Sequence, residues 1–187
     1  GRQSKLLFDY ETPNGEPLAI SARRINAYLV DAVDVTLTNR RTPICVVPVM
    51  NEGSALIDDG HLVLTDTEAD ELAMNEPIAA AWIRPLAAGS DYINGNIRYC
   101  LWLTDARPAE LRLAPTVLQR VQRVRDFRLA SNRAATKRLA STPTLFGEIR
   151  QPSTRFVMLP KTSSERRNFV PMGYLDENNV INNTSLY

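Results

Sequence analysis

From Pro115 to Ala140 the chain is built from good helix formers, with no glycine and no second proline. This is the longest helical region the sequence offers, so any fold must be arranged around it. At 100° per residue, Val117, Leu118, Val121, Val124 and Phe127 share one broad arc, which predicts an amphipathic first half. Arg128 projects only about 20° from Val117, and Arg125 about 80°, both inside that arc. Either the stripe drifts because the helix breaks around Ser131-Asn132, or these arginines cross a contact surface between helix and partner. The break is the favoured reading.

Short strands are expected on both sides of the helix. The first 60 residues carry turn signals at Pro13-Asn14-Gly15, Asn51-Glu52-Gly53 and Asp58-Asp59-Gly60, separated by β-branched runs such as Val33 to Leu37 and Ile44 to Val49. His61 to Leu64 reads as a strand leading into Thr65, which with Glu68 forms a T-x-x-E capping box for a helix over Asp66 to Asn75. Pro77 can start a second helix, Ile78 to Arg84, ending before Pro85. Gly89 to Asn96 is turn-like. Arg98 to Thr104 reads as a central strand with Trp102 in the core. Beyond Pro143 three strands are expected, Arg155 to Leu159, Phe169 to Leu175 and Val180 to Tyr187, with the polar run Lys161 to Asn168 between the first two. The fold class is α+β, with mixed or antiparallel strands flanking a central group of helices. No internal repeat and no convincing linker divides it.

Composition narrows the function. The 187 residues are 44% hydrophobic and 23% charged, enough to bury a core. No apolar run approaches the roughly 18 residues of a membrane span, and the N-terminus lacks the apolar stretch of a signal peptide. The expectation is a soluble, cytoplasmic protein without a membrane partner. Cys45, Cys100 and the single His61 fall short of a disulfide framework or a zinc site, so no metal is expected. A start at Gly1 and a stop at Tyr187 inside an apolar stretch predict a segment of a longer polypeptide.

The net charge of +1 hides a strong asymmetry. Residues 1–105 carry a net −7, residues 106–167 a net +10, and the last 20 a net −2. Such a distribution is expected when one region faces a polyanion. Most of the cations are arginines, whose planar fork donates two parallel hydrogen bonds to phosphate or to a guanine edge. A basic surface paired with the acidic half inside one fold would give the same count, and charge alone does not separate the two.

Several chemistries are missing. An amino-methyltransferase grips its exocyclic amine with a polar residue, two prolines and an aromatic, and none of the twelve prolines adjoins another. No two glycines lie two apart, which argues against a nucleotide or S-adenosylmethionine loop. There is no G-x-S-x-G elbow, no Glu-x-Lys nuclease motif, and only His61 as an imidazole base, itself better read as structural. The segment is not expected to be catalytic by itself, nor to hold a cofactor.

The residue types that read bases are concentrated between Phe146 and Phe169. Arginine pairs with guanine O6/N7, glutamine and asparagine with adenine N6/N7, glutamate accepts from cytosine N4, and serine binds phosphate. The candidates are Arg150, Gln151, Ser153, Arg155 and Lys161, then Ser163, Ser164, Glu165, Arg166, Arg167 and Asn168, with Glu148 nearby. Arg128, Arg133, Lys137 and Arg138 of the helical region join them. The plainer alternative is a solvated hairpin tip in which Glu165 pairs with a neighbouring arginine.

The strings LFDYETPNGEP (Leu7 to Pro17), YINGNIRYCLWL (Tyr92 to Leu103), RVQRVRDFRLAS (Arg120 to Ser131), TPTLFGEIRQP (Thr142 to Pro152) and SSERRNFVPMGYLD (Ser163 to Asp176) carry a resemblance covering nearly the whole chain. The chain resembles the target-recognition region of MmeI-type enzymes. These are long bacterial polypeptides combining an adenine-N6 DNA methyltransferase, often an N-terminal nuclease, and a DNA-reading domain. The resemblance implies one compact recognition domain over residues 1–187, and the charge count divides it into an acidic half 1–105 and a basic half 106–167 expected to face the DNA. It implies duplex DNA as partner, the methyltransferase domain of the same polypeptide as a second partner, and S-adenosylmethionine in that domain, where the adenine is flipped and methylated. FGEIRQP and SSERR are implied as DNA-facing segments; which residue reads which base is inferred from side-chain chemistry alone. The competing class is a protein-interaction or scaffold domain docking within a larger complex, and a nuclease in its own right comes third.

Overall fold

The computed structural model describes residues 5–34, 38–40 and 42–187. Contacts group the chain into two units, Gly1–Pro48 and Val49–Tyr187. In the first unit, β1 (Lys5–Asp9) and β2 (Leu18–Ala22) pair antiparallel, Leu7 opposite Ile20, around the turn in which Gly15 N–H donates to the Thr12 carbonyl at 2.9 Å. The strand expected over Val33 to Leu37 lies partly outside the described residues, and Val33 and Asp34 are not in a strand. Ile44 to Val49 forms no strand either. It is apolar and β-branched but has no partner among the described residues, and side-chain propensity without a neighbouring backbone does not make a strand.

The second unit is α+β, as expected. Its first sheet has the order β3 (Val63–Thr65), β5 (Arg98–Leu101), β4 (Ile83–Ala87), β8 (Val180–Ile181), with antiparallel pairs except for the parallel β4–β8 edge. Thr65 and Glu68 form the capping box, and α1 (Asp66–Asn75) follows over the expected residues. Pro77 starts a 3₁₀ helix that stops at Trp82, and the residues expected to end a helix become β4 instead. Pro85 is tolerated there because β8 meets β4 only at Leu86 and Ala87, so at Pro85 the strand has one neighbour and no second ladder needs its missing donor. The turn expected at Gly89 to Asn96 is a short helix, α2 (Gly89–Asn94), closed by Gly95 at φ 69°.

A four-residue helix, α3 (Pro108–Leu111), precedes the long one, α4 (Pro115–Ala130). The N-cap of α4, Ala114, offers no side-chain acceptor, and Glu76, at the end of α1, supplies it. Its carboxylate accepts from Thr116 N–H at 2.6 Å and Val117 N–H at 3.4 Å, meeting both the orphan donors and the positive end of the helix dipole. Val117, Val121 and Val124 are buried in one stripe, while Leu118 is exposed. The helix breaks at Ser131, whose ψ is 144°, and α5 (Ala134–Arg138) runs into a last 3₁₀ turn. Trp102 lies in the core against Phe146, ring centroids 5.2 Å apart and edge to face.

The second sheet has the order β7 (Gly173–Leu175), β6 (Phe156–Pro160), β9 (Ser185–Leu186), all antiparallel. Phe156 and Met158 face inward with Ile181, so the alternate residues Arg155, Val157, Leu159 and Lys161 share the outer face.

Candidate nucleic-acid interface

The outer face of β6 and the loop that leaves it gather most of the expected recognition residues. Arg155 stacks its guanidinium 4.6 Å from the ring centre of Tyr174, which stands opposite Val157 on β7. At the other end of the strand, Lys161 donates to Glu52 at 2.7 Å. Glu52 reaches this face because its backbone bridges Leu186 of β9, which itself pairs with Leu159. Arg150 donates to the same Glu52 at 3.1 Å and also pairs with Glu148. The Arg150 backbone is fixed from below, its N–H donating to the buried Ser54 hydroxyl at 2.9 Å.

Between β6 and β7 the chain leaves the sheet as a loop in which every residue from Lys161 to Val170 is exposed. Ser164 organises its tip: its hydroxyl accepts from Arg166 N–H at 3.2 Å and its carbonyl from Arg167 N–H at 3.1 Å. Among the described residues, Glu165, Arg166 and Arg167 enter no ion pair, so the tip is not the self-paired hairpin of the plainer reading. Shallow grooves lie on either side of Arg167. One is lined by Tyr92 and Asn168 to Met172, the other by Ser90, Ile93, Asn94 and Thr162 to Ser164, so α2 contributes to both.

The sequence over residues 31–187 matches the family model described as MmeI, target recognition domain. The chain belongs to that family. A solved structure of the Type IIL restriction-modification enzyme MmeI in complex with DNA is 42% identical, covers 98% of this chain and 24% of its own, and superposes with a TM-score of 0.82. DNA methyltransferase A of Bacillus subtilis (strain 168) is 28% identical over 159 residues, 85% of this chain and 18% of the relative. The chain thus spans about a quarter or less of the length of these two proteins.

Within this MmeI-type domain two of the expected contact residues, Arg128 and Gln151, are taken up by backbone groups of the fold. Arg128 has no exposed surface, and all five of its N–H donors meet backbone carbonyls: Nε reaches Ile57 at 2.8 Å, Nη1 reaches Leu139 and Thr142 at 3.0 Å, and Nη2 reaches Leu56 at 3.1 Å and Leu145 at 2.8 Å. No donor remains for DNA, which corrects the expectation. Burial lowers its pKa, with the nearby Asp58 charge opposing. Its place in the apolar arc thus reflects burial. Gln151 is also withdrawn: its amide nitrogen donates to the Glu177 and Asn179 carbonyls and its oxygen accepts from Ile181 N–H.

Arg133, Lys137 and Arg138 are exposed on and beside α5, which packs on α4 and the following 3₁₀ turn. They form a basic group on a different element from the β6 face. Ser153, Ser163 and Asn168 are exposed. Sequence reasoning missed Glu52 and Tyr174. Glu52 sat in what read as a turn, and its signal is the neighbouring Gly53, where a Cβ would strike the Asn182 carbonyl. Among the described residues no group of three potential ligands could hold a metal, and no helix is long and apolar enough to cross a membrane. Cys100 is buried, its thiol pushed up to about 12 by desolvation, and is not a nucleophile in that setting.

Proposed function

We propose that this chain is the sequence-reading domain of a bacterial adenine-N6 DNA methyltransferase or restriction-modification enzyme, and that residues 1–187 act together, with the basic half 106–167 toward the duplex. The single observation that carries the reading is the exposed Ser164 to Asn168 tip. There, two arginines, a carboxylate and an amide are presented on a hydrogen-bonded turn with no ion-pair partner among the described residues. Arg166 and Arg167 have the fork to read guanine in the major groove, and Glu165 can accept from cytosine N4. Ser163 and Ser164 suit phosphate, as do Arg133, Lys137 and Arg138 on α5, which would hold the duplex whatever its sequence. Arg155, stiffened by Tyr174, and Ser153 flank the same sheet face.

In this reading S-adenosylmethionine and the methyl transfer belong to the catalytic part of the same cytoplasmic polypeptide, which flips the adenine while this domain selects the site. Relatives four to five times longer, as the 24% and 18% coverages imply, support such a partner. Exposed apolar residues stand on both faces of the β1–β2 hairpin, Leu6 and Phe8 on one and Leu18 and Ile20 on the other, and offer it apolar contacts.

The test is binding of the full-length protein to a random-sequence duplex pool across a salt series, with sequencing of the retained DNA. Enrichment of one short motif, with affinity falling as salt rises, is the expected result. Retention without enrichment of any motif would overturn sequence reading.

A further inference from the structure

The β6 face carries one arrangement that base reading by the loop does not use. Two of its cations, Lys161 and Arg150, are held by a carboxylate whose backbone is locked in place. Glu52 is bridged to Leu186, its neighbour Asn51 exchanges two backbone hydrogen bonds with Tyr187 at 2.8 and 2.9 Å, and Gly53 N–H donates to the Ser185 carbonyl at 3.1 Å. A side chain at position 53 would collide with the Asn182 carbonyl, so the segment fits only with glycine there. From this anchored position one oxygen of Glu52 meets Lys161 at 2.7 Å and the other meets Arg150 at 3.1 Å.

The pairs link positions 98 and 109 residues apart, so they are not an accident of local sequence. Lys161 has no other ion-pair partner among the described residues, whereas Arg150 also has Glu148. The carboxylate oxygens occupy donors of both cations, and the Lys161 ammonium holds the Glu52 carboxyl below its usual range, keeping it charged. An unpaired lysine and arginine at this spot would attract a phosphate from any sequence, adding affinity without information.

We infer that Glu52 is a specificity-determining residue: it occupies Lys161 and one arm of Arg150, suppresses sequence-independent phosphate binding by the β6 face, and leaves discrimination to the loop. The inference rests on the DNA-reading function proposed above. It differs from a structural role in the sign of its effect. Damage to the fold weakens binding, whereas release of these cations strengthens it on the wrong sequences.

The experiment compares wild type, Glu52→Gln and the double variant Glu52→Gln/Lys161→Met in the full-length protein, by anisotropy on a duplex lacking the selected motif and on one containing it. Glu52→Gln should bind the motif-free duplex several-fold more tightly at low salt. Its slope of log affinity against log salt should steepen by about 0.9, one phosphate contact, and the preference for the motif should shrink. The double variant should return close to the wild-type slope, because the released lysine is gone and Arg150 keeps its pairing with Glu148. Unchanged or weaker binding of the motif-free duplex by Glu52→Gln, or a gain that persists in the double variant, would overturn the inference while leaving the DNA-reading function standing. Absence of salt-sensitive duplex binding by the wild type would overturn both.

Discussion

Arg128 Nη2 donates to the Leu145 carbonyl at 2.8 Å, fixing the chain one residue before Phe146 opens the FGEIRQP segment. The same guanidinium holds Leu56, Ile57, Leu139 and Thr142, so one side chain ties α4 to two loops that meet in the backbone pair Ala55–Glu148. A buried arginine without a carboxylate in contact is stable here because every donor has a carbonyl and no carbonyl has to find water.

Replacing Arg128 by Met should therefore destabilise the fold by about 3 kcal/mol or more, since it leaves five carbonyls without this donor group. Arg128→Lys should not restore it, having three donors for five acceptors. Urea unfolding of the three proteins checks this. Equal midpoints for wild type and Arg128→Met would contradict the anchoring role.

Helix α1 depends on its cap. Thr65→Ala should cost about 1 kcal/mol in the same unfolding measurement. The Glu68 carboxyl is held below its ordinary range, first by the Thr65 backbone N–H and then by Arg120 and the Thr65 hydroxyl. Because its folded pKa is depressed, the stabilisation is fully present above the ordinary glutamate value and is lost as pH falls through the lower, folded one. Glu68 is nearly half exposed, so solvent screens the effect. The gap between wild type and Glu68→Gln should be about 0.5 kcal/mol at neutral pH and should close in acid.

The two cysteines should differ in reactivity. Cys45 is exposed and Cys100 is buried with its thiol raised to about 12, so at mildly alkaline pH alkylation followed by peptide mapping should find Cys45 modified and Cys100 protected until the chain unfolds. Equal labelling of both in the native protein would contradict the placement of β5 at the centre of its sheet.

Much of this architecture was legible where local chemistry decides it. The Thr65–Glu68 box set the start of α1, and the proline at the start of α4 and the polar Ser131-Asn132 pair set its limits. Elements that depend on a distant partner were not legible. Pro85 sits in a strand because β8, nearly a hundred residues on, leaves that position alone. Ile44 to Val49 has strand composition and no strand to pair with. Gly89 to Asn94 looked like a turn because its polar residues are turn formers, although Gly95 is the left-handed glycine that closes a helix. The same divide runs through the candidate interface. The composition of the β6–β7 loop marked it as a candidate, and the chain indeed leaves the sheet there as an exposed loop, whereas the carbonyl partners of Arg128 and Gln151 and the reach of Glu52 to Lys161 exist only once the chain is folded.

In the proposed function the β6–β7 loop reads bases while α5 holds the backbone. This division is tested most directly by repeating the random-duplex selection with Arg166→Ala and Arg133→Ala. Arg166→Ala should relax the selected motif at one base pair, a discrimination of about 1–3 kcal/mol. Arg133→Ala should keep the motif, weaken all sequences alike and reduce the salt slope by about 1. Identical motifs from wild type and Arg166→Ala, with affinity lowered equally for every sequence, would contradict it.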